Sequence, residues 1–194
     1  MPNPITHNLS RLTDFKGRDT RGQFWPWAAC VVGGIILIWF VAVGSVFGCM
    51  VSQMTAYAEA HPDQATVTTA DGSTSIAIEG SHPEFIPDFG VLFWILGGMV
   101  IAAVVLLAAA VARRLHDRGR SAFWGLAPLP FLTFGLVAVP AVMNEITTGV
   151  EPDMRLFLAI FLNNICYLAV LLTLIIQLSG AGQPEPNRFG PPTA

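Results

Sequence analysis

The chain has 194 residues, of which 53% are hydrophobic and 12% charged, far from the roughly 25% charged composition of soluble domains. Its mean hydropathy of +0.59 places it among integral membrane proteins. A net charge of -3, with ten Lys and Arg divided among separate loops, gives no basic stripe, so no nucleic-acid partner is expected.

The N-terminal arm carries Ile5, Leu9, Leu12 and Phe15 at intervals of three and four among polar residues. Two readings stay open for it, a short amphipathic helix on the inner bilayer face or a tail without regular structure. Because this polar arm precedes the first apolar run, that run is expected to stay as an anchor and not to be cleaved as a signal peptide.

Four runs are long enough to span about 30 Å of hydrocarbon: Trp27–Met50, Phe89–Ala112, Ala122–Met143 and Leu156–Leu178. None holds an Asp, Glu, Lys, Arg or His. The expected fold is an all-α membrane protein, a four-transmembrane-helix bundle forming one domain over residues 1–194. Trp25 and Trp27 stand at the first entrance as interfacial belt residues do. Gly33, Gly34, Gly44 and Gly48 offer a small face for helix packing, within the bundle or between copies.

The outer loop 51–88 has no Lys or Arg. Within it, Asp71-Gly72 separates two β-prone runs and predicts a small hairpin. The second loop, 113–121, should be a tight helical connection, with Gly119 ending one helix and Ser121 capping the next. Pro128, Pro130 and Pro140 should bend the third span. The fourth carries Asn163, Asn164 and Gln177, and the paired asparagines are expected to bond across helices or to lie near the outer surface. The tail, 180–194, is polar and rich in Pro and Gly. Cys30, Cys49 and Cys166 fall within or at the edge of spans and read as small buried side chains outside any disulfide framework.

Arg11, Lys16, Arg18 and Arg21 precede span one, and Arg113, Arg114, Arg118 and Arg120 lie between spans two and three. The positive-inside rule therefore places both termini and the 113–121 loop in the cytoplasm, an N-in/C-in topology.

Three motifs frame these spans: Phe15-Lys16-Gly17-Arg18-Asp19-Thr20-Arg21-Gly22-Gln23-Phe24-Trp25, then Arg113-Arg114-Leu115-His116-Asp117 with Ser121 and Trp124, and finally Asn187-Arg188-Phe189-Gly190. In this order they resemble the YhaH-type bacterial inner-membrane proteins, the domain-of-unknown-function family 805. The resemblance implies a multi-pass four-helix protein of the bacterial inner (cytoplasmic) membrane and implies no reaction. The chain departs from the family pattern in a longer outer loop and in Glu185, where a glycine often precedes the terminal Asn-Arg.

Two readings of the basic residues follow. Arg113 and Arg114 can anchor the end of span two against anionic headgroups. Alternatively Arg18, Arg21, Arg113, Arg114, Arg118 and Arg188 converge on a phosphate, which a guanidinium fork suits. His116, Asp117, Ser121, Trp124 and Asn187 are expected to organise the loop, with Asp117 pairing to neighbouring arginines. No catalytic residue, metal site or cofactor is expected, since His116-Asp117 has neither further ligands nor a nucleophile beside it. The expected function is a non-enzymatic scaffold or accessory subunit binding anionic lipid, a membrane protein partner or another copy of itself. The alternative is a small oligomeric transporter of a neutral or apolar solute, and an enzyme acting on lipid phosphate ranks third.

Overall fold

A computed structural model describes residues 3–80, 82–149, 151 and 153–191. Met1 and Pro2 of the arm and the last three residues of the expected 180–194 tail lie outside the described residues. Two compact units are present, Met1–Ile36 with Leu96–Ala194, and Leu37–Ile95.

The elements run α1 (Pro4–Leu9), α2 (Arg21–Ala60), β1 (Ala65–Ala70), β2 (Ser73–Ile78), α3 (Phe89–Asp117), a 3-10 segment (Ala122–Leu126), α4 (Leu129–Thr147) and α5 (Met154–Ser179). Four stretches are long and apolar enough to cross a membrane: α2, α3, Ala122–Thr147 and α5. The fold is thus mostly helical with one small antiparallel sheet.

Several boundaries differ from expectation. α2 begins at Arg21, where Thr20 and Gln23 form half of a capping box: the Thr20 N–H donates to Gln23 Oε1 at 2.9 Å. It continues through Val51–Ala60, so the first ten positions of the expected outer loop are helical. That stretch contains no Gly or Pro, and the helix stops where Pro62 disfavours the α conformation of His61. α3 likewise runs on to Asp117, leaving a short connection that turns at Gly119 with φ +69°. The third span opens as a 3-10 segment capped by Ser121 and becomes α-helical beyond Pro128. The arm forms a six-residue helix and then an irregular segment, so a short helix is present but ends at Leu9, before Leu12 and Phe15.

In the first unit, Phe24, Trp27, Ala28 and Val31 of α2 pack with Ala110 and Leu115 of α3 and with Leu174 and Leu178 of α5. Trp27 is a core residue and not a belt residue, and its indole N–H donates to the Leu106 carbonyl at 3.0 Å. α4 packs along α5, joined by Asn163 Nδ2 donating to the Phe131 carbonyl at 3.1 Å. Most other span side chains, such as Val105, Val137, Phe161 and Leu168, are exposed on the isolated chain. Such surface is costly in water and costs nothing against hydrocarbon. The three cysteines are free and exposed, so they belong to these outward faces and not to a core. A Cβ at Gly33, Gly34, Gly44 or Gly48 would meet nothing within 4 Å, so the described chain does not use that face for close packing.

The second unit holds the hairpin. β1 and β2 pair with Val67 opposite Ile76, and both turn residues, Asp71 and Gly72, have positive φ, as a type I′ turn demands. Beside the end of α2, Tyr57 stacks on His61 with ring centroids 4.3 Å apart and meets His82 and Phe85 edge-on. The Glu84 carboxylate, 2.8 Å from His82 Nδ1, holds that imidazole above its ordinary pKa.

Candidate functional site

Helices α3 and α5 end close together, and each leaves its last four carbonyls without intrahelical partners. Arginines of α3 and its connection supply donors to α5. Arg118 donates to the carbonyls of Ile176 and Gln177, at 3.2 and 2.7 Å. Arg114 Nε donates to the Leu178 carbonyl at 2.8 Å, and its Nη2 donates to the Gly180 carbonyl. In return the N-terminal segment and the tail cap α3. Asn187 Nδ2 donates to the His116 carbonyl at 3.0 Å, and the Gln183 N–H and Arg18 Nη2 donate to that of Asp117, at 2.9 and 3.3 Å.

Two carboxylates anchor this exchange. Asp117 accepts from Arg18 Nε at 3.0 Å and forms a second ion pair with Arg114 Nη1. Asp19 accepts from Arg113 Nε at 2.7 Å and lies 3.2 Å from His7 Nε2. The remaining Arg113 donors reach Asn8 Oδ1 at 2.7 Å and the Arg11 carbonyl at 2.9 Å. Arg18 Nη1 donates to the Glu185 carbonyl at 3.0 Å.

Arg113, Arg114 and Asp19 have no exposed surface, and Arg18 and Asp117 have almost none. Three guanidiniums against two carboxylates leave about one positive charge. The carbonyl ends of α3 and α5 contribute about half a negative charge each. Arg118 on the α5 carbonyls adds a further charge, so the cluster keeps about one net positive charge, and each buried guanidinium is held by ion pairs and carbonyl oxygens.

His116 lies on the other side of this clasp. Its ring stacks on Phe189 at 3.8 Å, nearly parallel, while Nδ1 donates to the Gly17 carbonyl at 3.3 Å. The Arg188 guanidinium covers Phe189 at 4.7 Å.

The structure thus gathers Arg18, Arg113, Arg114, Arg118, His116, Asp117 and Asn187 into one cluster. Arg21 and Trp124 stay outside it on the surface, Arg188 reaches it through its own exposed stacking contact, and Ser121 is taken up in capping. The guanidiniums of Arg18, Arg113 and Arg114 point to protein oxygens and present no open fork to a phosphate. Asn8, Asp19, Gly180, Gly182 and Gln183 also belong to the site and were not among the expected residues. For Asp19 a signal existed, a lone acid among Lys16, Arg18 and Arg21. Asn8 and Gln183 gave none.

The family model described as a protein of unknown function (DUF805) matches residues 12–191. The chain belongs to that family. No curated protein and no solved structure matches it. In this DUF805 chain the matched range takes in the clasp apart from His7 and Asn8 of α1 and Arg11, which close it from outside the match.

Proposed function

We propose that this chain is a non-enzymatic scaffold or accessory subunit of the bacterial inner membrane. Both termini and the α3–α4 connection lie in the cytoplasm, and the clasped face meets anionic lipid headgroups or a membrane partner. The observation that carries this reading is the inward direction of Arg18, Arg113 and Arg114, which makes the face a fixed platform and leaves contact to the exposed cations. Arg21 and Arg188 are the outward members of the expected set. The transport alternative would rely on Asn163, Asn164 and Gln177. Asn163 is committed to α4 and Asn164 is exposed, which supports the scaffold, while Gln177 is buried with its Oε1 unpartnered among the described residues.

Native mass spectrometry of the intact chain tests the headgroup role. A surface cation is worth roughly 1 kcal/mol toward anionic lipid, so Arg21→Ala with Arg188→Ala should reduce retained phosphatidylglycerol about 10- to 30-fold. Unchanged retention would count against the reading. The Arg114→Ala and Arg118→Ala pair is the wrong probe, because Arg114 holds α5 and its loss would act through folding.

Topology is tested separately. With the three native cysteines replaced by alanine, Ser73→Cys in the hairpin should react with an impermeant maleimide from the periplasmic side. Labelling from the cytoplasmic side alone would reverse the orientation.

A further inference from the structure

A cavity of about 540 Å³ opens beside the clasp, within the first unit. It lies in the size range of small-molecule sites, roughly 300–1,000 Å³. Its walls are almost wholly hydrocarbon, from Val104 and Ala108 of α3, Leu129 of α4 and Leu171 of α5. The local sequence explains the space. On α3, Ala103, Ala108 and Ala112 are small, and opposite them the third span begins as a narrow 3-10 segment followed by Pro128. Gly125 closes the wall against Val111, where a Cβ would come within 2.8 Å of Cγ1.

Depth and charge identify the occupant. Ala103 in the cavity wall lies nine positions before Ala112, where the apolar run ends, about 14 Å of helix at 1.5 Å per residue. That is one leaflet of a hydrocarbon core about 30 Å thick. At the rim stand Phe15 and Phe123, both exposed, and Ser121. Their sequence neighbours Lys16 and Arg120 are exposed cations that form no ion pair among the described residues. An apolar slot whose lining residues Phe15 and Ser121 adjoin two exposed cations in sequence suits an amphiphile with an acyl tail and an anionic head.

We infer that this cavity seats one acyl chain of an anionic phospholipid from the cytoplasmic leaflet, with Lys16 and Arg120 beside its phosphate. The inference rests on the orientation proposed above and names the lipid contact of that face. An empty apolar cavity would stay dry in water. At the depth of a leaflet, hydrocarbon fills it.

The test uses the full chain in detergent, incubated with vesicles of phosphatidylglycerol or phosphatidylcholine and read by native mass spectrometry. Wild type should keep one phosphatidylglycerol per chain and at least tenfold less phosphatidylcholine. Ala108→Phe fills the slot from α3 and should lose the adduct at least tenfold. Leu171→Trp fills it from α5 and should do the same, so the result does not depend on one variant folding. Lys16→Ala with Arg120→Ala should keep a lipid but bind both headgroups equally.

A wild-type adduct in either filled variant that unfolds at the parental temperature would overturn the inference. So would displacement of phosphatidylglycerol by an equal concentration of oleate, which would make the site one for free fatty acid. A tenfold or greater loss of phosphatidylglycerol in the Arg21 and Arg188 variant together with an undiminished Ala108→Phe adduct would sink the cavity site and leave the proposed function standing. The reverse pattern would do the opposite.

Discussion

Asp19→Ala should be the most damaging single substitution in the chain. It leaves Arg113, which has no exposed surface, without its carboxylate, and it removes the shared acceptor of His7 and Arg11. Removing one partner of a buried ion pair typically costs about 3–5 kcal/mol, a large share of the ~5–15 kcal/mol that holds a domain folded. Unfolding in detergent should occur at a markedly lower temperature, and trypsin should cut the arm at Lys16 in the folded state. Asp19→Asn keeps the shape and one acceptor oxygen and should fall between the two. Adding Arg113→Met to Asp19→Ala removes the stranded cation and should recover part of the loss. A wild-type melting temperature for Asp19→Ala would show that the pair contributes nothing net.

Gly182→Ala should come second. The added Cβ would land on the Asp117 carboxylate, and that carboxylate cannot swing aside without releasing Arg18 and Arg114. Overpacking alone costs about 1–3 kcal/mol, and the disturbed ion pairs add to it. Gly180→Ala presses instead on the Arg118 guanidinium, which is half-buried and held by carbonyls at the end of α5, so it has somewhere to go. The expected order of melting temperatures is therefore Gly34→Ala highest, then Gly180→Ala, then Gly182→Ala. At Gly34 a Cβ meets open space, and alanine in a helix gains roughly 0.5–1 kcal/mol. Equal effects at positions 180 and 182 would mean that the pinning of Asp117 is not what decides the cost.

The spans were legible because an apolar run of about twenty residues has few fates besides crossing a membrane. The hairpin was legible because Asp71-Gly72 between β-prone runs specifies its own turn. Helix ends were less so. The end of an apolar run does not mark the end of its helix, and α2 and α3 both continue past theirs. The direction of the arginines was hidden for a different reason. An arginine at the end of a span can meet lipid phosphate or protein carbonyl, and the choice depends on partners far off in the chain. Arg18 finds Asp117 99 positions away and Glu185 167 positions away. Charge counting registers that these cations are present, not that two carboxylates and the carbonyls of two helix ends already occupy their donors. The cavity was hidden too, since it depends on where the 3-10 segment gives way to α-helix, while Pro128, Pro130 and Pro140 announced only a bend.

The tail bears on how the chain is made. Glycine, glutamine and glutamate at positions 180, 183 and 185 supply carbonyls to arginines that leave the ribosome much earlier. Before residues 180–187 are made, Arg18 and Arg114 keep Asp117 but lack part of their coordination, and the His116 and Asp117 carbonyls at the end of α3 lack Asn187 and Gln183. Closure of the clasp therefore follows synthesis of that stretch. A chain cut before residue 180 leaves the guanidinium donors of Arg18 and Arg114 that face the tail open, whereas a chain carrying residues 180–187 conceals them.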